Sequence, residues 1–138
     1  MIKLVKHSLL AVLIMFGASM QSWAAEEAGD GSPIAYTEVK PSFVLNYGGP
    51  GRLKYLKADI TLVTSSPLAE QTVSHHMPLI RNELVSLLSR QTDEAVTTPV
   101  GQEQIRMEAT QAVKDLMQKE VGHPVIDDLL VLNFIYQK

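Results

Sequence analysis

A chain of 138 residues has room for one hydrophobic core, and with 46% hydrophobic and 20% charged residues most of it is expected to fold as a single globular domain. The formal charge of -3 excludes the basic footprint that nucleic-acid binding requires. The absence of cysteine excludes thiol chemistry and leaves the fold to its core alone, without disulfides.

The first residues read as an address. Lys3 and Lys6 make a positive start, Leu9 to Ala18 is apolar, and small residues at Ser22 and Ala24 permit cleavage before Ala25. This pattern predicts a secretory signal peptide over residues 1–24. The rival is an uncleaved membrane anchor, because no Lys, Arg, Asp or Glu falls between Lys6 and Glu26. Cleavage would remove two lysines and leave 10 basic against 15 acidic residues, a charge of -5. Residues 25–40, which include the acidic and Gly- and Ser-containing "EEAGDGSP", are predicted to be a flexible tether.

Residues 41–138 carry the periodicities of a folded domain. In "SFVLNY", Phe43, Leu45 and Tyr47 alternate with Ser42, Val44 and Asn46, as a half-buried strand requires. "GGPG" at residues 48–51 breaks the strand, and Leu56, Ala58, Ile60 and Leu62 then alternate with Lys57, Asp59 and Thr61, which predicts a hairpin with a long loop. From Leu68 the period lengthens. Val73, Met77, Ile80, Leu84, Leu87 and Leu88 form one helical stripe, with Pro78 either opening the main helix or kinking it. Thr98 and Pro99 mark the start of a second helix whose stripe is Ile105, Ala109, Ala112, Val113, Leu116 and Met117, and Gly122 with Pro124 ends it. "DDLLVLNFIYQK" predicts a closing strand. The expected fold class is α+β, with two amphipathic helices packed on a small, mainly antiparallel sheet in the order β, β, α, α, β.

Chemical motifs are scarce. His75 and His76 are sequence neighbours, so on a helix they point about 100° apart and cannot readily chelate one ion. His123, Asp127 and Asp128 would complete a metal site only through a tertiary contact. The bland reading of the histidine pair is a helix entrance. No GxGxxG, Walker or GxSxG pattern occurs, so the residues point to no cofactor, no metal and no catalytic group.

In order, "RLKYLKADITLV", "HHMPLIRNELVSLLSRQ", "TPVGQEQIRMEATQAVKDLM" and the terminal apolar strand resemble the periplasmic domain of the FliL family of flagellar basal body-associated proteins. His76, Pro78, Ile80, Arg81, Leu84, Leu87, Leu88 and Ser89 carry the likeness in the first helix region, with Gly101, Ile105 and Arg106 in the second. The resemblance implies a stomatin- and prohibitin-like domain, and a non-enzymatic accessory of the flagellar motor in the periplasm, beside the inner membrane. It implies stator or basal-body proteins and other subunits of the family as partners, a homo-oligomer able to form rings, and support of torque or swarming. Family members typically keep a transmembrane helix, so the cleavable signal read here departs from the pattern. His76, Pro78, Arg81, Gly101 and Arg106 are the structural or interaction candidates, with the two arginines expected to pin a loop or cap the other helix's end, the alternative being an acidic group on a partner subunit. The alternative function is a periplasmic binding or scaffold module unrelated to the motor.

Overall fold

The computed structural model describes residues 33–138. Four strands make its sheet: β1 (Ala35–Glu38), β2 (Phe43–Tyr47), β3 (Lys54–Thr64) and β4 (Asp128–Gln137). All pairings are antiparallel and all run through β3. β2 lies along Lys54–Ala58, β1 follows end to end along Thr61–Thr64, and β4 takes the whole opposite side. Between β1 and β2 the Val39 N–H donates to the Ile60 carbonyl at 2.9 Å, so the ladder on that side has little interruption. Leu56, Ala58, Ile60 and Leu62 turn to one face and are at most 2% exposed.

The helices cover that face. α1 (Pro67–His75) starts at the Ser66 cap, whose hydroxyl accepts the Ala69 N–H, and α2 (Met77–Ser89) follows after a single residue. Pro78 therefore sits in the first turn of α2, where its missing N–H has no helical partner to lose. His76 belongs to both helices, its N–H donating to the Thr72 carbonyl of α1 and its carbonyl accepting the Ile80 N–H of α2. α3 (Asp93–Thr97) is one short helix capped by Thr92. α4 (Pro99–Val121) begins at Thr98, whose Oγ1 accepts the Gly101 N–H at 3.1 Å, and ends at Gly122 in the left-handed region at φ 84°. Val73, Ile80, Leu84, Leu87 and Leu88 meet Ile105, Ala109, Val113 and Met117 above the strands, in one continuous core.

The α+β class and the antiparallel sheet follow the sequence, while the element count does not. β1 lies inside the stretch read as a tether. Its "AYTE" carries almost no apolar signal; the eleven-residue β3 outruns β2 and leaves edge peptide groups that β1 satisfies. Residues 25–32, like the proposed signal peptide, fall outside the described residues. Four helices stand where two were predicted. Both options for Pro78 hold in part, because α1 precedes it as a separate helix, and five-residue α3 is too short to show a period although it buries Val96 completely. In β4 a bulge opposite Asp59 and Ile60 shifts the phase: Leu129 and Val131 face inward with Leu62 and Ile60, and Phe134 and Tyr136 with Ala58 and Leu56. An unbroken period-two alternation therefore does not run through that strand.

Candidate interaction surface

The five candidate residues fall into two groups, both at joints between the helices and the sheet. In the first, His76 closes α1, with its Nδ1 2.9 Å from the Thr72 carbonyl and its ring edge-on to His75 at 5.0 Å. Pro78 is exposed. One turn on, Arg81 donates to the Pro41 carbonyl between β1 and β2, while its guanidinium stacks over the Phe43 ring at 4.4 Å. A flat, weakly hydrated cation suits this double role better than an ammonium would. Arg81 thus ties α2 to the place where one edge of the sheet passes from β1 to β2.

The second group ties α3, α4 and β4 together. Gly101 is in the first turn of α4, and a Cβ built there would lie 2.4 Å from the Ala95 carbonyl oxygen and 2.5 Å from the Ala95 Cα. Only a residue without a side chain lets α3 cross α4 this closely. Arg106 spreads its fork between two carboxylates and a carbonyl. Its Nη2 meets Glu103 at 2.7 Å, and its Nη1 meets Asp128 at 2.8 Å and the Leu129 carbonyl at 3.2 Å. Asp128 in turn accepts the Leu129 N–H at 2.8 Å. Both peptide groups of Leu129, at the start of β4, are therefore satisfied by a side-chain clip rather than by another strand.

Further polar ties escaped the sequence reading. Lys54 meets Asp93 at 2.6 Å beside the Tyr47 hydroxyl, and the Gly48 N–H donates to the Gln91 carbonyl, which fastens the β2–β3 loop to the start of α3. Asn133 donates to Asp59 at 2.7 Å across β3 and β4. The charged members of such pairs, unlike apolar stripes, have no period and leave no trace in a sequence.

These contacts shift titrations in a definite direction. Hydrogen bonds from Ser42 and Asn133 hold Asp59 below the usual aspartate range, Lys54 does the same for Asp93, and Arg106 for Glu103. A carboxylate with a lowered folded pKa stabilises fully above its unfolded pKa, and that contribution is lost as pH falls through the folded value. Tyr47 is pushed the other way by burial, so its contribution is lost as pH rises through its folded pKa. The melting temperature is accordingly expected to be flat near neutrality, to fall below about pH 4 and to fall again above about pH 10. Thermal melts between pH 3 and 11 check this, and an acid limb that stays flat would contradict the ion-pair assignments.

The sheet face opposite the helices bears large apolar side chains. Tyr36, Val44, Tyr55, Leu132 and Ile135 stand out on it at 46 to 69% exposure. A monomeric domain scatters such residues singly, whereas here they share one face. A signal for it lies in β4, where Leu130, Leu132 and Ile135 add apolar residues beyond the set that packs on the core. Among the described residues no three His, Cys, Asp or Glu side chains gather to hold a metal ion, and no helix is long and apolar enough to cross a membrane.

The Flagellar protein FliL of Aquifex aeolicus (strain VF5) is 26% identical over 82 residues, which is 59% of this chain and 51% of that protein. The chain thus matches about half the length of this curated relative. The family model described as Flagellar basal body-associated protein FliL matches residues 36–137, from β1 to the end of β4. Because that match covers well over half of the chain, the chain belongs to the FliL family of flagellar basal body-associated proteins.

Proposed function

We propose that this protein is a non-enzymatic accessory of the flagellar motor, acting in the periplasm next to the inner membrane and gripping stator or basal-body proteins and further FliL-family subunits. The observation that carries the reading is the uncovered apolar sheet face on a domain of a basal body-associated family. The helices spend their apolar stripes on the core, so the face left over is suited to contact. The candidate residues support it from behind: Arg81 and Arg106 fix the helices to the sheet, and Gly101 lets α3 lie close on α4, which together hold that face in one shape. A stomatin- and prohibitin-like description of the domain and a part in torque or swarming belong to the same proposal.

Deleting the gene is expected to slow swimming in viscous medium, and the tagged full chain is expected to retain stator or other basal-body proteins in a pull-down. Normal motility together with no motor partner would leave the protein a periplasmic scaffold unconnected with the flagellum.

A further inference from the structure

We infer that a cavity in the middle of the sheet face opposite the helices seats one arginine side chain, presented among apolar residues by the protein that docks there. The inference deepens the reading of that face as a contact surface and rests on it.

The cavity, of about 290 Å³, opens where β1 gives way to β2, and Ser42, Asp59, Thr61, Leu132 and Asn133 are among the residues that line it. Asp59 and Asn133 stand opposite each other in the register of β3 and β4, on the side turned away from the core. They form the middle row of the face. Tyr36 and Leu132 lie toward one end of it, and Val44 and Ile135, both opposite Lys57, lie toward the other; all four are among its exposed apolar side chains. A polar pocket ringed in this way matches the centre of a protein interface, where apolar neighbours exclude water from a charged anchor.

Asp59 sets the sign of that anchor. Its carboxylate accepts from the Ser42 hydroxyl and, at 2.7 Å, from Asn133 Nδ2, so it is held ionised and in one orientation by two neutral donors. A carboxylate accepts about four hydrogen bonds, which leaves about half of this one's capacity open to the cavity. Lys57 is the weakest of the influences on it. Glu38 adds a second carboxylate on the rim, and its 2.8 Å pair with Lys40 joins side chains 57% and 78% exposed, a kind of pair that contributes little and opens readily. The cavity therefore calls for a cation. A guanidinium suits it best, because a planar fork can turn donors toward Asp59 and Glu38 together and is weakly hydrated enough to sit among apolar groups, whereas an ammonium is a compact, strongly hydrated point charge. A small free cation would leave Tyr36, Val44, Leu132 and Ile135 wet. The occupant is accordingly a side chain of a protein that brings apolar neighbours with it.

The probe is the peptide acetyl-Leu-Arg-Leu-amide, titrated into the purified full chain and followed by the NMR signals of the Asn133 side-chain amide, which lies beside Asp59. These signals are expected to shift and saturate at millimolar peptide. Citrulline in place of the arginine keeps its shape and removes its charge, and is expected to weaken binding by about tenfold; lysine is expected to weaken it by roughly threefold. Asp59→Asn is expected to weaken the arginine peptide by about tenfold with an unchanged circular dichroism spectrum, and Glu38→Gln, on the exposed rim, by roughly threefold. No saturable shift, equal binding of the citrulline or lysine peptide, or binding that neither substitution weakens would each overturn the inference. The peptide series reads charge and shape on the unsubstituted chain, so it decides the matter even if Asp59→Asn fails to fold. A chain that retains motor proteins but does not bind the arginine peptide loses this inference alone, whereas selective peptide binding with normal motility after gene deletion upholds it and removes the motor reading.

Discussion

Gly101→Ala is expected to destabilise the domain by about 3 kcal/mol, although alanine is the better helix former by about 1 kcal/mol. The added methyl would fall 2.4 to 2.7 Å from the carbonyl oxygen, Cα and carbonyl carbon of Ala95, all of them backbone atoms that no rotamer change can move aside. Relief requires α3 to shift away from α4, which would pull Val96 out of the core and disturb the Lys54–Asp93 pair at the head of α3. For a domain of about 100 residues this corresponds to a loss of roughly 10 to 20 °C in melting temperature. Urea unfolding of the two chains measures it. Equal or higher stability of the alanine variant would show that α3 does not cross α4 at this separation.

The second large effect is expected at Arg106. Arg106→Ala removes the link between α4 and the start of β4 and leaves Asp128 and the Leu129 carbonyl without their charged donor. A hydrogen bond to a charged group contributes about 1.5 to 3 kcal/mol, and the guanidinium is 28% exposed, so water recovers part of the loss; about 2 kcal/mol is expected. Arg106→Lys keeps the charge but cannot reach Glu103, Asp128 and a carbonyl together, so it is expected to recover less than half. A double-mutant cycle with Asp128→Asn separates this contact from the i, i+3 pair with Glu103, and a coupling of about 1 kcal/mol is the expected value. A coupling near zero would place the stabilisation on α4 alone.

Much of the architecture was legible because burial imposes a period. The alternation from Leu56 to Leu62, the stripe from Val73 to Leu88 and the stripe from Ile105 to Met117 each state which face meets the core, and each is buried there, with Met77, Ala112 and Leu116 half-buried at its margins. Local chemistry marked the ends of α4 as plainly: a threonine oxygen for an orphan N–H, proline where none is needed and glycine at positive φ. The candidate surface was less legible. Arg81 and Arg106 stood out, but their pairing with Pro41, Phe43 and Asp128 did not, because each partner lies 22 to 40 residues away and no spacing rule joins them. The glycine at 101 was visible as a residue, and its reason was not.

By itself, then, the chain determined what depends on neighbours a few positions apart: the fold class, the buried stripes of the two long helices, the hairpin of β2 and β3, and the caps of α4. Tertiary structure decided the rest. β1 became a strand because β3 offered it a free ladder, the bulge in β4 reversed which side chains face outward, and the close crossing of α3 over α4 turned Gly101 from a helix weakness into a requirement. The physical reason is one of range: periodicity and capping are set by local geometry, whereas hydrogen bonds across the sheet and contacts between helices exist only after distant segments have met.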